Sequence, residues 1–560
     1  MTHQAPPATR HPDDQTLCDE IGFDCPWRYN AARLLFDNID QGRGEAPAVI
    51  ADSGTWTYAA LGAEANRIGN ALLARGFESG DRVLLFLDDE PAYPAAVMGA
   101  MKAGLVTILT NTLSPPDLVR FYVEDSGAKA AVISPPHREL FSDDLLAGTA
   151  CETVIVTGPG SGRMLGWDAV ASASDALDEA PTSQDDMAFW MYSSGSTGRP
   201  KGVVHRHEDA LYTDVSYARN ILKLTPDDIC FSVPKIFFAY GFGNSVTFPF
   251  AAGGASVLMA GRPDPMAIYD QIVRHRPTVL FGLPTLYTAL ARHASAETAD
   301  LASVRLCISA AEILSADIFN AWTDRFGHKI VEGLGSTEML HIYLSNDEQS
   351  RKLGSAGRRV PGYAIRLVTP EGTEVAEGDE GIMEVRGLSG ARTYWNRPDK
   401  THRPGCCRQR EGARTYWNRP DKTAETMRDG WLWTGDRFVS DTDGFYFFKG
   451  RADDLVKVSG QWVWPLEIEL ALAEHPKVHE CAVLAVEMAD RRTTLVAFVA
   501  AKPDAEPSDA LAAELKGYAK QVLLPHKYPR DVHFLDALPK TDTDKIDRQA
   551  LKARALGEAG

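Results

Sequence analysis

The ten residues Ser193-Ser194-Gly195-Ser196-Thr197-Gly198-Arg199-Pro200-Lys201-Gly202 combine glycines, hydroxyls and one lysine. Each type suits an anion. Glycine lets backbone N–H groups approach closely, hydroxyls donate further hydrogen bonds, and Lys201 adds a point charge. The chemistry predicted is the grip of a phosphate. A Walker-type pattern, G-x-x-x-x-G-K-[ST], is not met, because Gly202 follows Lys201. The positive charge must be local, since the chain carries a formal net charge of −18 and its overall field repels phosphate.

Several elements must hold such a loop. At 560 residues the chain exceeds the size at which one core keeps growing, so two or more domains are expected. Strand-like apolar runs alternate with helical patterns from about residue 45 to 390, as in "AAVIS" (130–134), which predicts an α/β architecture. "AFWMY" (188–192) reads as a buried strand entering the loop, and Leu211, Val215, Ala218 and Leu222 recur at helical spacing after it. The loop is thus expected between a strand and a helix. Past "FYFFKGRADDLVKVSG" (445–460) the pattern changes to short strands (481–486, 495–500) and one amphipathic helix (509–523), a small α+β domain. The expected organisation is a polar tail over 1–24, a large domain over 25–450 and a small one over 451–560, with a hinge near 450–455.

Composition narrows the function. The acidic balance argues against a nucleic-acid partner. No apolar run is long enough to span a bilayer. The polar start "MTHQAPPATRHPDDQ" lacks the apolar core of a signal peptide, so a cytoplasmic location is expected. The eight cysteines show no metal-ligand spacing and read as reduced packing residues. "GARTYWNRPDKT" occurs at 390–401 and again at 412–423, which reads as a local duplication in a surface loop.

The loop and five further motifs in order resemble the adenylate-forming enzymes, which include acyl- and aryl-CoA ligases, luciferases and peptide-synthetase adenylation domains. The motifs are "GLGSTE" (333–338), "GIMEVRG" (381–387), "WTGD" (433–436), "GRADDLVKVSG" (450–460) and "LPKTDTDKI" (538–546), and the resemblance runs from about residue 25 to 555. It implies a large multi-subdomain α/β domain followed by a small mobile α+β domain. It also implies a reaction in which a carboxylate attacks the α-phosphate of ATP and CoA thiol then displaces AMP.

The resemblance assigns roles to residues. Ser194, Gly195, Ser196, Thr197, Gly198 and Lys201 correspond to the loop around the β- and γ-phosphates. Glu338 corresponds to the Mg²⁺-associated carboxylate, Thr337 to an α-phosphate contact and Lys545 to the catalytic lysine. Ala311 and Glu312 lie in "SAAE", the counterpart of the adenine-side "SAGE"; Asp436 corresponds to the ribose contact, with Arg451 assisting. Asp453 matches the hinge, and Ser459, Gly460 and Gln461 would line the pantetheine tunnel. Two residues depart from the family pattern: Asp544, where glycine usually precedes the catalytic lysine, and Ala311 itself.

"IFFAYGFGN" (236–244) and "STEMLHIYLSN" (336–346) look most like the benzoate-CoA ligase branch. Ala239, Tyr240, Gly241, Gly335 and His341 would line a flat aryl pocket, with "FGLPTLY" (281–287) as its floor. The implied partners are an aromatic acid, Mg-ATP and CoA, acting on a monomer or a homodimer. Two alternatives stay open: a freestanding adenylation enzyme that loads a carrier protein, and a nucleotide-binding homologue that has lost catalysis.

Overall fold

The computed structural model describes residues 11–195, 198–312, 314–391, 427–428, 430–452, 456–458, 461–463, 465–487, 493–503, 505–523, 527–540 and 546–555. The chain divides into two compact units. One comprises Met1–Arg366, Glu384–Trp433 and Thr442–Tyr446, and the other Leu367–Met383, Thr434–Asp441 and Phe447–Gly560.

The first unit contains two large sheets of mostly parallel strands. In the six-stranded sheet the order is Thr153–Val156, Ala130–Ile133, Arg82–Phe86, Val106–Leu109, Met187–Gly195 and Gly198–Arg206. All neighbours are parallel except the last pair. The strand Ala130–Ile133 is buried along its whole length, which is why it reads as a continuous apolar run rather than an alternation. Leu84, Phe86, Ile108, Val119, Val123 and Trp190 build the core beside it.

The nine-stranded sheet runs Arg358–Arg359, Ile342–Ser345, Ile330–Gly335, Leu306–Ser309, Val279–Gly282, Ile229–Ser232, Ala255–Val257, Pro47–Ala51 and Gly54–Thr57. Its five central pairings are parallel. Consequently the carboxyl ends of Val279–Gly282, Leu306–Ser309 and Ile330–Gly335 open on one edge, where ligands of open α/β sheets bind. Tyr287, Leu290, Leu314, Phe319 and Trp322 seal one face of this sheet.

In the second unit Val478–Glu487 pairs antiparallel with Thr493–Ala501, which pairs parallel with Asp531–Phe534. Side chains alternate faces: Val483, Leu495, Ala497 and Val499 pack toward Leu511 and Leu515, and Leu484, Val486, Val496 and Phe498 toward Leu538 and Leu551. The helix Asp509–Val522 starts at Ser508, whose hydroxyl accepts from Leu511 N at 3.2 Å. These elements match the α+β pattern of the sequence.

Among the described residues Cys18, Cys25, Cys151, Cys230, Cys307 and Cys481 are buried. No helix among the described residues is long and apolar enough to cross a membrane.

Candidate active site

The glycine-rich loop differs from the strand-to-helix turn expected. It is the tip of a β-hairpin: Met187–Gly195 pairs antiparallel with Gly198–Arg206, Gly195 faces Gly198, and the helix begins only at His207. "GRPKGVVHR" hides this strand from a sequence reader because Gly, Pro, Lys and Arg break the expected alternation. The ladder nevertheless fixes which side chains face one another. It sets Lys201 opposite Ser193, just below the tip. The side chains of Ser194 and Arg199 and the whole of Ser196 and Thr197 lie outside the described residues.

Ser193 reaches a second element. Its hydroxyl donates to Glu338 Oε1 at 3.4 Å. Glu338 sits in the short turn Thr337–Met339, capped by the Ser336 hydroxyl, which accepts from Met339 N at 3.2 Å. Two further contacts fix the turn's backbone. His205 Nε2 meets the Thr337 carbonyl at 2.8 Å, and Ala391 N donates to the Glu338 carbonyl at 2.6 Å. The structure therefore brings Ser193, Lys201, Thr337 and Glu338 into one neighbourhood within one unit.

An aromatic wall forms around His341, which is 3 % exposed. Its ring centroid lies 4.4 Å from Phe248, 5.4 Å from Tyr217 and 5.5 Å from Tyr240. Tyr240 in turn stands 6.1 Å from Phe281, edge to face. Glycines permit the closeness. A Cβ on Gly241 would lie 1.9 Å from the Lys235 carbonyl oxygen, one on Gly243 2.4 Å from His341 Cδ2, and one on Gly335 2.5 Å from the His341 carbonyl. Leu340, at φ 66°, turns the chain so that His341 enters this wall. Burial pushes the His341 imidazole down to about 3, so it is neutral. Among the described residues neither His341 nitrogen, nor the Tyr240 hydroxyl, nor the Asn244 amide closes a hydrogen bond of normal geometry. Buried polar atoms in that condition suit water or a ligand.

Sequence reasoning missed Asp89. Its carboxylate, 3 % exposed, accepts from Ile236 N at 3.2 Å and lies 3.9 Å from Lys235 Nζ. Lys235 also donates to the carbonyl of Gly261 at 3.0 Å. The entry to the 236–244 segment is thereby pinned from two sides. Burial raises the Asp89 carboxyl to about 6 against the opposing pull of Lys235 and Ile236 N. The only sequence signal was Lys235 itself, set before consecutive aromatics.

On the same sheet edge Ser309 ends its strand, and Ala311 follows at φ 72°, a left-handed conformation that favours glycine. Glu312 accepts from Thr285 N at 3.3 Å, joining the ends of two neighbouring strands. In the second unit Arg451 Nη1 lies 3.1 Å from Asp436 Oδ1 and donates to the Thr434 carbonyl at 3.3 Å. Gly435, at φ 74° within the strand Trp431–Ser440, lies between Thr434 and Asp436, and a Cβ there would meet Arg451 Nη2 at 3.0 Å. Gln461 lies on the strand Gln461–Val463, opposite Val458. Asp453, Ser459, Gly460, Asp544, Lys545 and the repeat from 392 to 423 lie outside the described residues.

Comparison with known proteins adds sequence distance to this geometry. The AMP-binding enzyme family model matches residues 36–395, and the AMP-binding enzyme C-terminal domain model matches 467–545. A benzoate–CoA ligase of Thauera aromatica is 40% identical, over 94% of this chain and 96% of its own. A 4-hydroxybenzoate–CoA/benzoate–CoA ligase of Rhodopseudomonas palustris is 38% identical over 94% and 95%. Among solved structures, the anthranilate CoA ligase AuaEII in complex with anthranoyl-AMP superposes with a TM-score of 0.85 at 32% identity, covering 96% of this chain and 99% of that one. A benzoate CoA ligase from Burkholderia xenovorans LB400 gives 0.82 at 37%, covering 94% and 100%.

Proposed function

Since the chain belongs to the AMP-binding enzyme family, we propose that it is an aryl-CoA ligase of the benzoate type. It activates an aromatic carboxylic acid with ATP and passes the acyl group to CoA. The observation that carries this reading is that one unit holds both the His341 wall and the neighbourhood of Ser193, Lys201 and Glu338.

A carboxylate resists nucleophiles because its own charge repels them and its leaving group would be oxide. In the first half-reaction a carboxylate oxygen bonds to the α-phosphorus of ATP and the bond to the β-phosphate bridging oxygen breaks, releasing pyrophosphate. In the second, CoA sulfur bonds to the acyl carbon, the bond to AMP breaks, and the thiol proton goes to solvent. Lys201, Ser194 and Thr197, with the backbone N–H groups of Gly195, Ser196 and Gly198, hold the departing phosphates. Thr337 contacts the α-phosphate, and Ala311 and Glu312 flank the adenine. Asp436 accepts the ribose hydroxyls, with Arg451 holding its carboxylate.

Lys545 meets charge building on the attacking and α-phosphate oxygens, where a preplaced cation stabilises the transition state. A contact of about 4 Å at an effective dielectric near 20 is worth on the order of 4 kcal/mol before desolvation. Glu338 is the group that would hold Mg²⁺, since hard cations on nucleotides take a carboxylate and phosphate oxygens together, and the ion would neutralise phosphate charge. The small domain over 451–560 moves about Asp453 between half-reactions, presenting Ser459, Gly460 and Gln461 to pantetheine in the second.

The test is pyrophosphate release from Mg-ATP with benzoate, hydroxy- and aminobenzoates, cyclohexanecarboxylate, a fatty acid and acetate, each with and without CoA. Release confined to aryl acids and stimulated by CoA is expected. Stimulation by a carrier protein alone would shift the reading to carrier loading. Silence with ATP still bound would make the protein a nucleotide-binding homologue without catalysis.

A further inference from the structure

Where the hairpin's second strand runs into the helix that starts at His207, "HRHED" (205–209) forms a buried cluster that the roles above leave unused. The His205 side chain is fully buried and stacks on Phe189 at 5.4 Å between ring centroids. One ring nitrogen, Nδ1, lies 3.2 Å from Asp209 Oδ2, and the other, Nε2, lies 2.8 Å from the Thr337 carbonyl. A carbonyl only accepts, so Nε2 is the donor.

Asp209 is itself fully buried and held. Arg206 N donates to its Oδ2 at 3.0 Å, and Arg206 Nη2 lies 3.2 Å from Oδ1. Burial alone would raise this carboxyl, but Arg206 and His205 offset that and keep it below the usual carboxylate range. The same arginine donates to the Leu388 carbonyl at 3.2 Å, three residues before Ala391, whose N–H holds the Glu338 carbonyl. Both backbone supports of the Thr337–Met339 turn therefore trace back to one buried cluster.

From this we infer that His205, oriented by Asp209, is a positioning residue for adenylation: it anchors the Thr337 carbonyl and so aims the Thr337 hydroxyl and the Glu338 carboxylate at the nucleotide. The inference rests on the ligase reading above. A carbonyl pinned from inside the protein leaves the turn's side chains free to face outward, and small misplacements of such groups are costly in rate. His205 touches no reacting atom.

The experiment compares His205→Phe, which keeps the ring and its stack but cannot donate, with His205→Gln, which can, and with Asp209→Asn. Pyrophosphate release, its Mg²⁺ dependence and thermal midpoints are read for each. His205→Phe should lower kcat at least tenfold and raise half-saturating Mg²⁺ several-fold, with KM for the aryl acid within about twofold. His205→Gln should recover most of both effects at a similar midpoint, and Asp209→Asn should fall between. The inference is overturned if His205→Phe keeps wild-type kcat and Mg²⁺ dependence. It is equally overturned if the Phe and Gln variants lose activity alike, in step with their midpoints, which marks a packing role. An unsubstituted enzyme that releases no pyrophosphate from any acid would instead sink the ligase reading, and this inference with it.

Discussion

Glu332 lies on the strand Ile330–Gly335 that leads into the Thr337–Met339 turn, and it is 8 % exposed. Its carboxyl accepts from Leu314 N at 3.0 Å, bracing the segment just after Ala311 and Glu312. Burial raises the carboxyl to about 8, with that backbone N–H opposing only in part. Folded protein thus binds a proton here between about 4.5 and 8 that the unfolded chain releases. Stability from this group is fully present below the unfolded value and is lost as pH rises toward the folded one. At ~1.4 kcal/mol per pH unit, the loss across the window is on the order of 3–5 kcal/mol.

Glu332→Gln keeps an oxygen for Leu314 N and removes the titration. Denaturant midpoints measured from pH 5 to 9 should show wild type and variant close together at pH 5 and the variant more stable by several kcal/mol at pH 8. Parallel curves across that range would refute the reasoning, because they would mean that the carboxyl ionises inside the fold without cost.

Three other outcomes are expected. Ala311→Gly should relieve a left-handed strain of roughly 1 kcal/mol, partly offset by added freedom in the unfolded chain, and lower KM for ATP; midpoints and initial rates check this. His341→Phe should remove two unpaired buried nitrogens and raise stability by about 1 kcal/mol while raising KM for the aryl acid and leaving KM for ATP unchanged, as melts and steady-state kinetics would show. Lys545→Ala should slow pyrophosphate release at least a hundredfold, yet leave thioester formation from preformed aryl-adenylate near wild type; equal losses in both half-reactions would remove the lysine from its assigned role.

How much of this was legible in the sequence depends on the range of the interaction. Leu484 against Val483, or Val496 against Leu495, announce their faces by simple alternation, and the small domain's strands and helix were readable for that reason. The glycine-rich segment and Glu338 stood out because their residue types are packed into short strings, and the structure sets Ser193 within 3.4 Å of Glu338. His205 and Asp89 were not. Their partners are 132 and 147 positions away, and no local pattern records that a histidine will reach the carbonyl of Thr337 or an aspartate the N–H of Ile236. Such pairings exist only once parallel strands bring their ends together. The hairpin was missed for a different reason: its returning strand is built from residues that disfavour strands in isolation and is held by pairing with Met187–Gly195.

That hairpin has a consequence for what the chain can tolerate. Extra chain in a loop costs only closure entropy, which grows slowly with length. Between Gly195 and Gly198 the rule is opposite. Lys201 stands across from Ser193, and Ser193 touches Glu338, only because the rungs are counted correctly from the tip. Slippage by one rung would send Lys201 to the other face of the sheet. A single residue inserted between Ser193 and Lys201 would break that register and part the two side chains, which the same residue in an open loop would not do.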